Sequence, residues 1–463
     1  MNPTRTLAAG LIAFLAASGS LRAQALDAAE PVTIQQAVQT AMKNYPAIRA
    51  QLAEVAAASS GLELSKTAYL PRTDFHYQLN RATRNNIFGL MFPNDVIAPI
   101  SGPASEGQIG TSTFGTAVGL VFRWEPFDFG LRRARVDVAR KLIAEAEAGK
   151  MVTEYQVSLA AADAFFAALA ADQAVQAAQA NVERMEVFER TVSALVKAQL
   201  RPGADESRAR AELARARNEL IAARKVRRQS RLDLGRWMGR AGAEIAVVPG
   251  ALLKPPPDGG AEPAAGVHPL TAAGAASIEV IRARRRAIAR EYRPRFEILA
   301  SVYGRGTGAR LDGTFEGGAA GLYPTVGNWA VGLGVSFPLF DYRENKVRQE
   351  IEKRREAAEA ARLETVEQQI ESAIAKARVA LDAARSVARN TPAELEAARL
   401  LERQARARYN AGLGTVVEVA DAQRLLRQAE TADALARLEI WRALFALAAA
   451  EGGIGRLLEE ASR

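Results

Sequence analysis

The sequence predicts a mostly helical protein with four membrane-spanning β-strands, arranged as two internal repeats. Three observations support this fold class. Two proline-containing segments recur with the same spacing, alternating runs follow each of them, and long stretches rich in Ala, Arg, Glu and Leu follow those runs. Ala and straight-chain residues lose little entropy in a helix, whereas alternation with period two indicates a strand.

Composition excludes several classes of protein. The chain has 463 residues, of which 49% are hydrophobic and 24% charged, so neither disorder nor a fibre is indicated. It has no cysteine, which excludes thiolate catalysis, cysteine-bound metals, disulfides and lipidation of an N-terminal cysteine. The net charge of +9 comes mostly from Arg interleaved with Glu, which is typical of solvated helix faces. We therefore expect no nucleic-acid partner.

Residues 1–25 have the pattern of a secretory signal peptide. Arg5 precedes a short apolar core, Leu7–Ala17, and Ala23-Gln24-Ala25 offers a cleavage site, with Leu21-Arg22-Ala23 as a second option. The apolar core is too short for a spanning helix, which takes roughly 20 residues. We expect no other segment to qualify as one, so a membrane location would require a closed β-barrel.

The two repeats begin with matching motifs. Tyr45-Pro46 is followed by Tyr69-Leu70-Pro71-Arg72, and His268-Pro269 is followed by Tyr292-Arg293-Pro294-Arg295 at the same proline-to-proline distance. We expect repeat 1 over 26–238 and repeat 2 over 267–450, each with a helix, two strands and a long helical hairpin. A Pro- and Gly-rich linker, 239–266, separates them, and its run 245–248 could add a short strand. Residues 451–463 are expected to be a short tail.

The alternating runs have the length that a tilted strand needs to cross an outer membrane, about 9–11 residues. One set of side chains is apolar, and the intervening set is small or polar. A soluble β-hairpin is the alternative, but four such strands cannot bury both faces alone. The residues expected to face lipid are Phe75, Tyr77, Leu79, Val118, Leu120, Phe122, Trp124, Phe296, Ile298, Val302, Trp329, Val331, Leu333, Val335 and Phe337.

Long helices are expected after each strand pair, from Leu131 to about Gln199 and from Glu344 onwards. Asp128 and Asp341 precede them and are well placed as N-caps. The second helix contains Pro392, with Thr391 before it as a candidate N-cap. We interpret that segment as a kink or side turn and not as the end of the helix.

Each long helix then reaches a turn that leads into a returning helix. The first turn is 200–203, followed by a helix over 205–238, and the second is 409–415, followed by a helix over 416–450. Glycine stands in both turns, where it would serve a positive φ. Helices this long and rich in alanine need partners alongside them.

In this order, the elements resemble the TolC family of outer-membrane efflux and secretion proteins over about residues 31–450. The resemblance rests on Tyr45-Pro46, the two Phe-Asp junctions and the glycine tips, above all the pattern from Gly412 to Gln423. It implies a homotrimer whose protomers each give four strands to a twelve-stranded β-barrel, which a long α-helical barrel continues across the periplasm. It also implies a periplasmic adaptor protein at the hairpin tips, an inner-membrane pump, and outer-membrane lipid around the strands.

The resemblance also suggests functional residues. Glu418 and Asp421 lie three apart on one helix face and match acidic residues that narrow the pore, and the alternative is that they are solvated carboxylates near a helix N-terminus. Tyr409 matches a tyrosine of the family's entrance lock, but Gly414 replaces its arginine and the first hairpin lacks an obvious acidic partner, so we do not expect that specific lock. The expected adaptor contacts are Leu200, Arg201, Gly203, Ala411, Gly412 and Leu413.

The sequence shows no catalytic residues, no cofactor site and no metal site. The only two histidines are His76 and His268. His268 aligns with Tyr45 of the other repeat and is interpreted as structural, and His76, on the polar face of a strand and without clustered partners, is interpreted as a wall residue.

The leading interpretation is therefore the outer-membrane channel of a tripartite efflux system that exports small molecules passively. A type I protein-secretion duct, a non-channel periplasmic coiled-coil scaffold and a periplasmic adaptor are alternatives, and an enzyme is the weakest interpretation. A soluble scaffold should not expose Val118, Leu120, Phe122 and Trp124 together.

Overall fold

The computed structural model describes residues 31–82, 112–256, 266–308 and 316–462, and the predicted signal peptide lies outside them. It confirms the predicted fold class of a mostly helical chain with two pairs of strands. The helices are α1 (Ile34–Asn44), α2 (Pro46–Thr67), α3 (Leu131–Lys197), α4 (Gly203–Trp237), α5 (Pro269–Glu291), α6 (Tyr342–Asn410), α7 (Val416–Ala450) and α8 (Gly455–Ser462). The strands are β1 (Arg72–Ala82), β2 (Thr113–Phe127), β3 (Arg295–Thr307) and β4 (Val326–Ser336).

The chain divides into two compact units. The helical unit holds the described residues of Met1–Arg49, Thr153–His268 and Gln369–Arg463, and the strand unit holds those of Ala50–Val152 and Pro269–Gln368. Each sequence repeat contributes residues to both units, because α3 and α6 are long enough to run through both.

The strand unit is built on one antiparallel sheet in the order β1-β2-β3-β4. Its register pairs Phe75 with Leu120, Leu120 with Val302, and Val302 with Trp329, so these four side chains form one cross-strand row. At the end of β2 that leads into α3, the strand has a β-bulge after Trp124. Between the pairs Trp124–Ile298 and Phe127–Phe296, β2 advances by three residues and β3 by two.

The start of α3 is fixed by Asp128, as the sequence predicted. Its carboxylate accepts hydrogen bonds from the backbone N–H groups of Gly130 (3.0 Å) and Arg132 (2.6 Å) and from Nε of Arg132 (2.9 Å). Burial raises the pKa of Asp128, but these hydrogen bonds and the arginine charge outweigh it and leave the pKa below its ordinary value. Among the described residues, no capping hydrogen bond is formed by the Asp341 side chain, so the cap predicted there is wrong.

Helix α6 continues without interruption through Pro392. The expectation that Pro392 does not end the helix is therefore confirmed, but the predicted N-cap role of Thr391 is wrong. The Thr391 hydroxyl is buried and donates to Asp433 on α7 at 3.2 Å. This contact between neighbouring helices satisfies the hydroxyl without a helix restart.

The linker and the chain end contribute to the core of the helical unit. The linker run 245–248 forms only an isolated parallel bridge, between Val32 and Val247, and a short 3-10 helix follows at Gly250–Leu253. The tail contains α8, which the sequence did not predict, and its Leu457 and Ala461 are buried. An amphipathic helix this short forms because the core covers its apolar side.

The large core of the helical unit is centred on Trp441 of α7, which is 2% exposed and donates its indole N–H to the Lys254 carbonyl at 2.8 Å. A second cluster joins the two hairpins, with Phe188 and Val192 from α3 packed among Tyr409 and Val419 from the second hairpin.

One described helix meets the length and composition of a membrane span, contrary to the expectation that none would. An 18-residue window of α3 has a mean hydropathy of 1.2, and half of that window is buried. A buried core helix passes the same test, so this window is weak evidence for a span.

Candidate functional site at the two hairpin tips

The two hairpins turn with the same backbone geometry. In the first, Gln199 has a φ of 59° and the N–H of Leu200 donates to the Leu195 carbonyl at 2.8 Å. In the second, Gly412 has a φ of 82° and the N–H of Leu413 donates to a carbonyl five residues earlier at 2.9 Å. Both are Schellman turns, in which a left-handed residue ends the helix.

The left-handed residue of the first turn is therefore not glycine. Gly203, which we expected to serve the positive φ, begins α4 directly after Pro202. Gln199 takes the left-handed conformation instead, at a cost of about 1 kcal/mol for a residue with a Cβ. The predicted positive φ is confirmed for Gly412 and is wrong for Gly203.

Tyr409, the predicted lock residue, is fully buried between the hairpins. Its ring meets Phe188 edge-on at 5.4 Å, and the guanidinium carbon of Arg201 lies 4.4 Å from the ring centroid. Arg201 also donates a hydrogen bond to the Tyr409 carbonyl. The Tyr409 hydroxyl donates to the Asp205 carboxylate at 3.3 Å. One tyrosine of the second hairpin thus contacts three residues of the first.

The surroundings keep the Tyr409 phenol neutral. Burial raises its pKa, the negative charge of Asp205 raises it further, and the positive charge of Arg201 opposes them, for a pKa of about 12. A neutral phenol retains its proton and can donate to Asp205 at any physiological pH.

This cluster corrects one expectation about the first hairpin. The hairpin does have an acidic partner for Tyr409, namely Asp205, and it supplies an arginine as well. Arg201 stands two residues after the left-handed Gln199, as Gly414 stands two residues after Gly412. A Cβ at Gly414 would lie 3.2 Å from the Tyr409 backbone nitrogen, so this position has little room for a side chain.

The acidic pair lies on the first turns of α7. Thr415 caps the helix by accepting a hydrogen bond from the Glu418 N–H at 3.3 Å. The Glu418 carboxylate is 4.0 Å from Nε of Arg408, and Asp421 pairs with Arg424 at 2.9 Å. Both carboxylates are about half exposed, at 49% and 55%. Their charges are partly compensated within the chain.

The remaining predicted tip residues are on the surface. Leu200 is 69% exposed and Leu413 is 70% exposed, and they occupy equivalent positions in the two Schellman turns. Gly203, Ala411 and Gly412 are exposed too. Arg201 is partly buried because it is committed to Tyr409.

The sheet carries the residues that the sequence analysis expected to face lipid. According to the register, all of these residues that lie within a strand are on the same face of the sheet as Phe75 and Trp329. The remaining one, Phe337, follows β4 directly. Exposure on this face reaches 77% at Trp329 and 70% at Val331. On the opposite face, Gly119 passes so close to Tyr303 that a Cβ would lie 2.4 Å from the tyrosine Cβ.

The two histidines lie apart from the tips. His76 is on the polar face of β1, opposite Gly119. His268 is buried beside Tyr155, with ring centroids 5.1 Å apart, and burial lowers its pKa although a hydrogen bond to the Ala449 backbone opposes this. Within the described ranges, no group of three or more His, Asp or Glu residues could hold a metal ion.

Similarity to known proteins extends over most of the chain. The profile of the outer membrane efflux protein family matches residues 37–240 and 264–453. No curated protein sequence matches the chain.

Three solved structures illustrate the similarity in fold. The outer-membrane channel OprN has a TM-score of 0.68 at 19% identity, over 91% of this chain and 90% of that chain. The CmeC outer membrane channel of Campylobacter jejuni has a TM-score of 0.70 at 14% identity, over 93% and 89%. The MtrE outer membrane channel of Neisseria gonorrhoeae, solved in an open state, has a TM-score of 0.67 at 20% identity, over 91% and 89%.

Proposed function

The chain belongs to the outer membrane efflux protein family, as its resemblance to the TolC family predicted, and we propose that it is the outer-membrane channel of a tripartite efflux system. In this role it exports small molecules, such as drugs, toxic compounds or metal ions, passively across the periplasm and outer membrane. Its partners are two further copies of itself, a periplasmic adaptor protein and an inner-membrane pump.

The observation that carries the proposal is an exposed apolar sheet face on a sheet with two open edges. Among the described residues, β1 and β4 each have one edge without a partner strand. Lipid cannot satisfy the backbone N–H and C=O groups of such edges, so a lipid-facing sheet must close into a barrel. Four strands are too few for that, and further copies of the chain would supply the rest. A soluble coiled-coil scaffold would leave the same apolar face in water.

Two adjacent substitutions on β4 test the orientation of the sheet. Val331 lies on the apolar face and Ala330 on the opposite one. A lysine at a lipid-facing midplane position costs about 2–4 kcal/mol, whereas a lumen-facing lysine is tolerated. Val331→Lys should therefore reduce the yield of heat-modifiable oligomer in the outer membrane, and Ala330→Lys should not.

The wild-type protein should require detergent and raise conductance in planar bilayers. Purified protein that stays soluble without detergent and makes no pore would overturn the channel proposal.

At the tips, the proposal assigns two roles. Tyr409, with Arg201 and Asp205, holds the two hairpins of one protomer together and acts as the entrance lock. Glu418 and Asp421 form the pore constriction. The support for the lock is the burial of Tyr409 and its contacts, and the support for the constriction is the shared helix face of the two carboxylates.

The exposed tip residues provide the adaptor contact. Leu200 and Leu413 support it, since an apolar side chain exposed at the same point of both turns gives two similar docking positions for one type of adaptor. Replacing both leucines with serine should weaken adaptor binding without changing conductance, and an unchanged affinity would remove them from this role.

A further inference from the structure

A groove of about 410 Å³ lies where β4 ends and α6 begins. Its walls include Phe337, Tyr292, Tyr342, Arg293 and Lys346. Phe337 directly follows β4 and continues the alternation of its apolar residues, so the groove lies at the end of the apolar face. A molecule in the groove could therefore extend along that face.

The groove is positively charged and has no acidic lining residue. Arg293 and Lys346 are both exposed, and neither forms an ion pair with a carboxylate in the described ranges of the chain. Of the nearby carboxylates, Glu291 and Glu344 are paired with Arg348, and Asp341 lines the adjoining pocket but not this groove. Two cations without counter-charges favour an anionic ligand.

The aromatic side chains give the groove an amphipathic wall. The Tyr292 ring lies 5.3 Å from Phe337 and 5.5 Å from Tyr342, and the Lys346 ammonium is 5.6 Å from the Tyr342 ring centroid. Among the described residues the Tyr342 hydroxyl has no hydrogen-bond partner, which leaves a donor on the residues that line the groove. Tyrosines with lysine and arginine are typical of a membrane–water interface.

The equivalent place in the first repeat is filled. There Arg132 is buried, bonded to Asp128 and stacked on Tyr69 at 4.9 Å, and Trp124 donates its indole N–H to the Tyr69 carbonyl at 3.2 Å. In the second repeat the shorter Asn345 takes the place of Arg132 and donates to the backbone of α5. The two repeats therefore differ at this junction, because a buried arginine occupies it in the first and the shorter Asn345 in the second.

We propose that this groove binds the phosphate headgroup of an anionic phospholipid, with the acyl chains lying on the apolar face of the sheet. Arg293, Lys346 and the Tyr342 hydroxyl contact the phosphate, and Phe337 contacts the first part of the chains. The inference rests on the proposed function, because it requires the apolar face to be in lipid.

The test is binding of dioleoylphosphatidylglycerol to the detergent-solubilised oligomer, followed by native mass spectrometry, with dioleoylphosphatidylcholine and inorganic phosphate as comparisons. The wild type should prefer the anionic lipid, and inorganic phosphate at equal concentration should not displace it. Arg293→Gln with Lys346→Gln should weaken binding by about 30-fold, the value for two basic residues at a lipid surface. The matched control is Lys353→Gln with Arg354→Gln, which removes the same charge from exposed positions of α6 outside the groove and should leave binding unchanged.

Several results would overturn the inference. They are equal affinity for the two lipids, displacement by inorganic phosphate, or unchanged binding in the groove variant. Bilayer conductance measured on the same samples separates this failure from that of the proposed function. If the wild type forms pores but shows no lipid preference, only the proposed lipid site is contradicted. If the wild type forms no pores, the proposed channel function is contradicted.

Discussion

Replacing Arg201 with alanine should loosen both hairpin tips, although the residue belongs to only one of them. Arg201 stacks on the buried ring of Tyr409 at 4.4 Å and donates to its backbone carbonyl. A cation over an aromatic ring contributes about 1 kcal/mol. A hydrogen bond from a charged donor contributes about 1.5 kcal/mol. Because Arg201 is partly exposed, we expect a combined loss of about 2 kcal/mol and not the full sum.

Hydrogen exchange measures this loss directly. The N–H groups of Leu200 and Leu413 close the two Schellman turns, at 2.8 Å and 2.9 Å from their acceptor carbonyls. They exchange when the turns open locally, and a loss of about 2 kcal/mol corresponds to exchange about 30-fold faster. Mass spectrometry of peptides that cover 195–205 and 405–415 in the solubilised oligomer would detect this change at both tips.

The matched control is Arg208→Ala. Arg208 is exposed on α4 and has no ion pair with any described residue, so its removal should leave exchange at both tips within about twofold of the wild type. Unchanged exchange in Arg201→Ala, or acceleration confined to the first tip, would show that the Arg201–Tyr409 contact does not join the hairpins. If the contact also locks the entrance, Arg201→Ala should raise bilayer conductance.

Three further predictions concern charge. Because the pKa of Tyr409 is raised, its neutral phenol stabilises the tips fully below pH 10, and this contribution is lost as the pH rises to about 12. Tyrosinate absorbance should therefore show a component that titrates near pH 12 and that Tyr409→Phe lacks. Glu418→Gln with Asp421→Asn should reduce the cation preference measured by reversal potential across a salt gradient, and unchanged selectivity would remove both residues from the constriction. Asp128→Ala should cost about 3–5 kcal/mol and lower the temperature at which the oligomer dissociates, because it leaves a buried guanidinium unpaired. Asp341→Ala, at the matching position without a cap, should have little effect, and equal effects would contradict the assignment.

Much of the fold could be predicted because its signals are local. Alternation in the four strands placed the apolar residues on one face, and the observed register agrees. The absence of helix breakers predicted α3, and the segment 416–450 was predicted with the bounds that the structure gives to α7. Errors occurred where a tertiary contact outweighed a local signal. Thr391 looked like a cap but bonds to Asp433, and the segment expected only as a short tail forms α8 against the core.

The candidate site was less predictable for the same reason. Tyr409 was identified through a family resemblance, but its partners Arg201 and Asp205 lie about two hundred residues away in the sequence. Spacing within one hairpin carries no information about which side chain of the other hairpin reaches it. The left-handed turn residue was missed as well, since glycine is favoured at such positions and Gln199 adopts the conformation in a turn closed by the hydrogen bond from Leu200 to Leu195.

The sequence by itself determined the repeat, the strand alternation, the helix lengths and the family, because each follows from periodicity or motif order along the chain. Only the tertiary structure decided how the two hairpin tips contact each other, which charges are paired, and why the two repeats differ at the junction of strand and helix. Those features depend on distances between side chains brought together by packing. An arginine in one repeat and an asparagine in the other look like a minor substitution in the sequence. In the structure, the arginine fills the junction of the first repeat, and the junction of the second remains open.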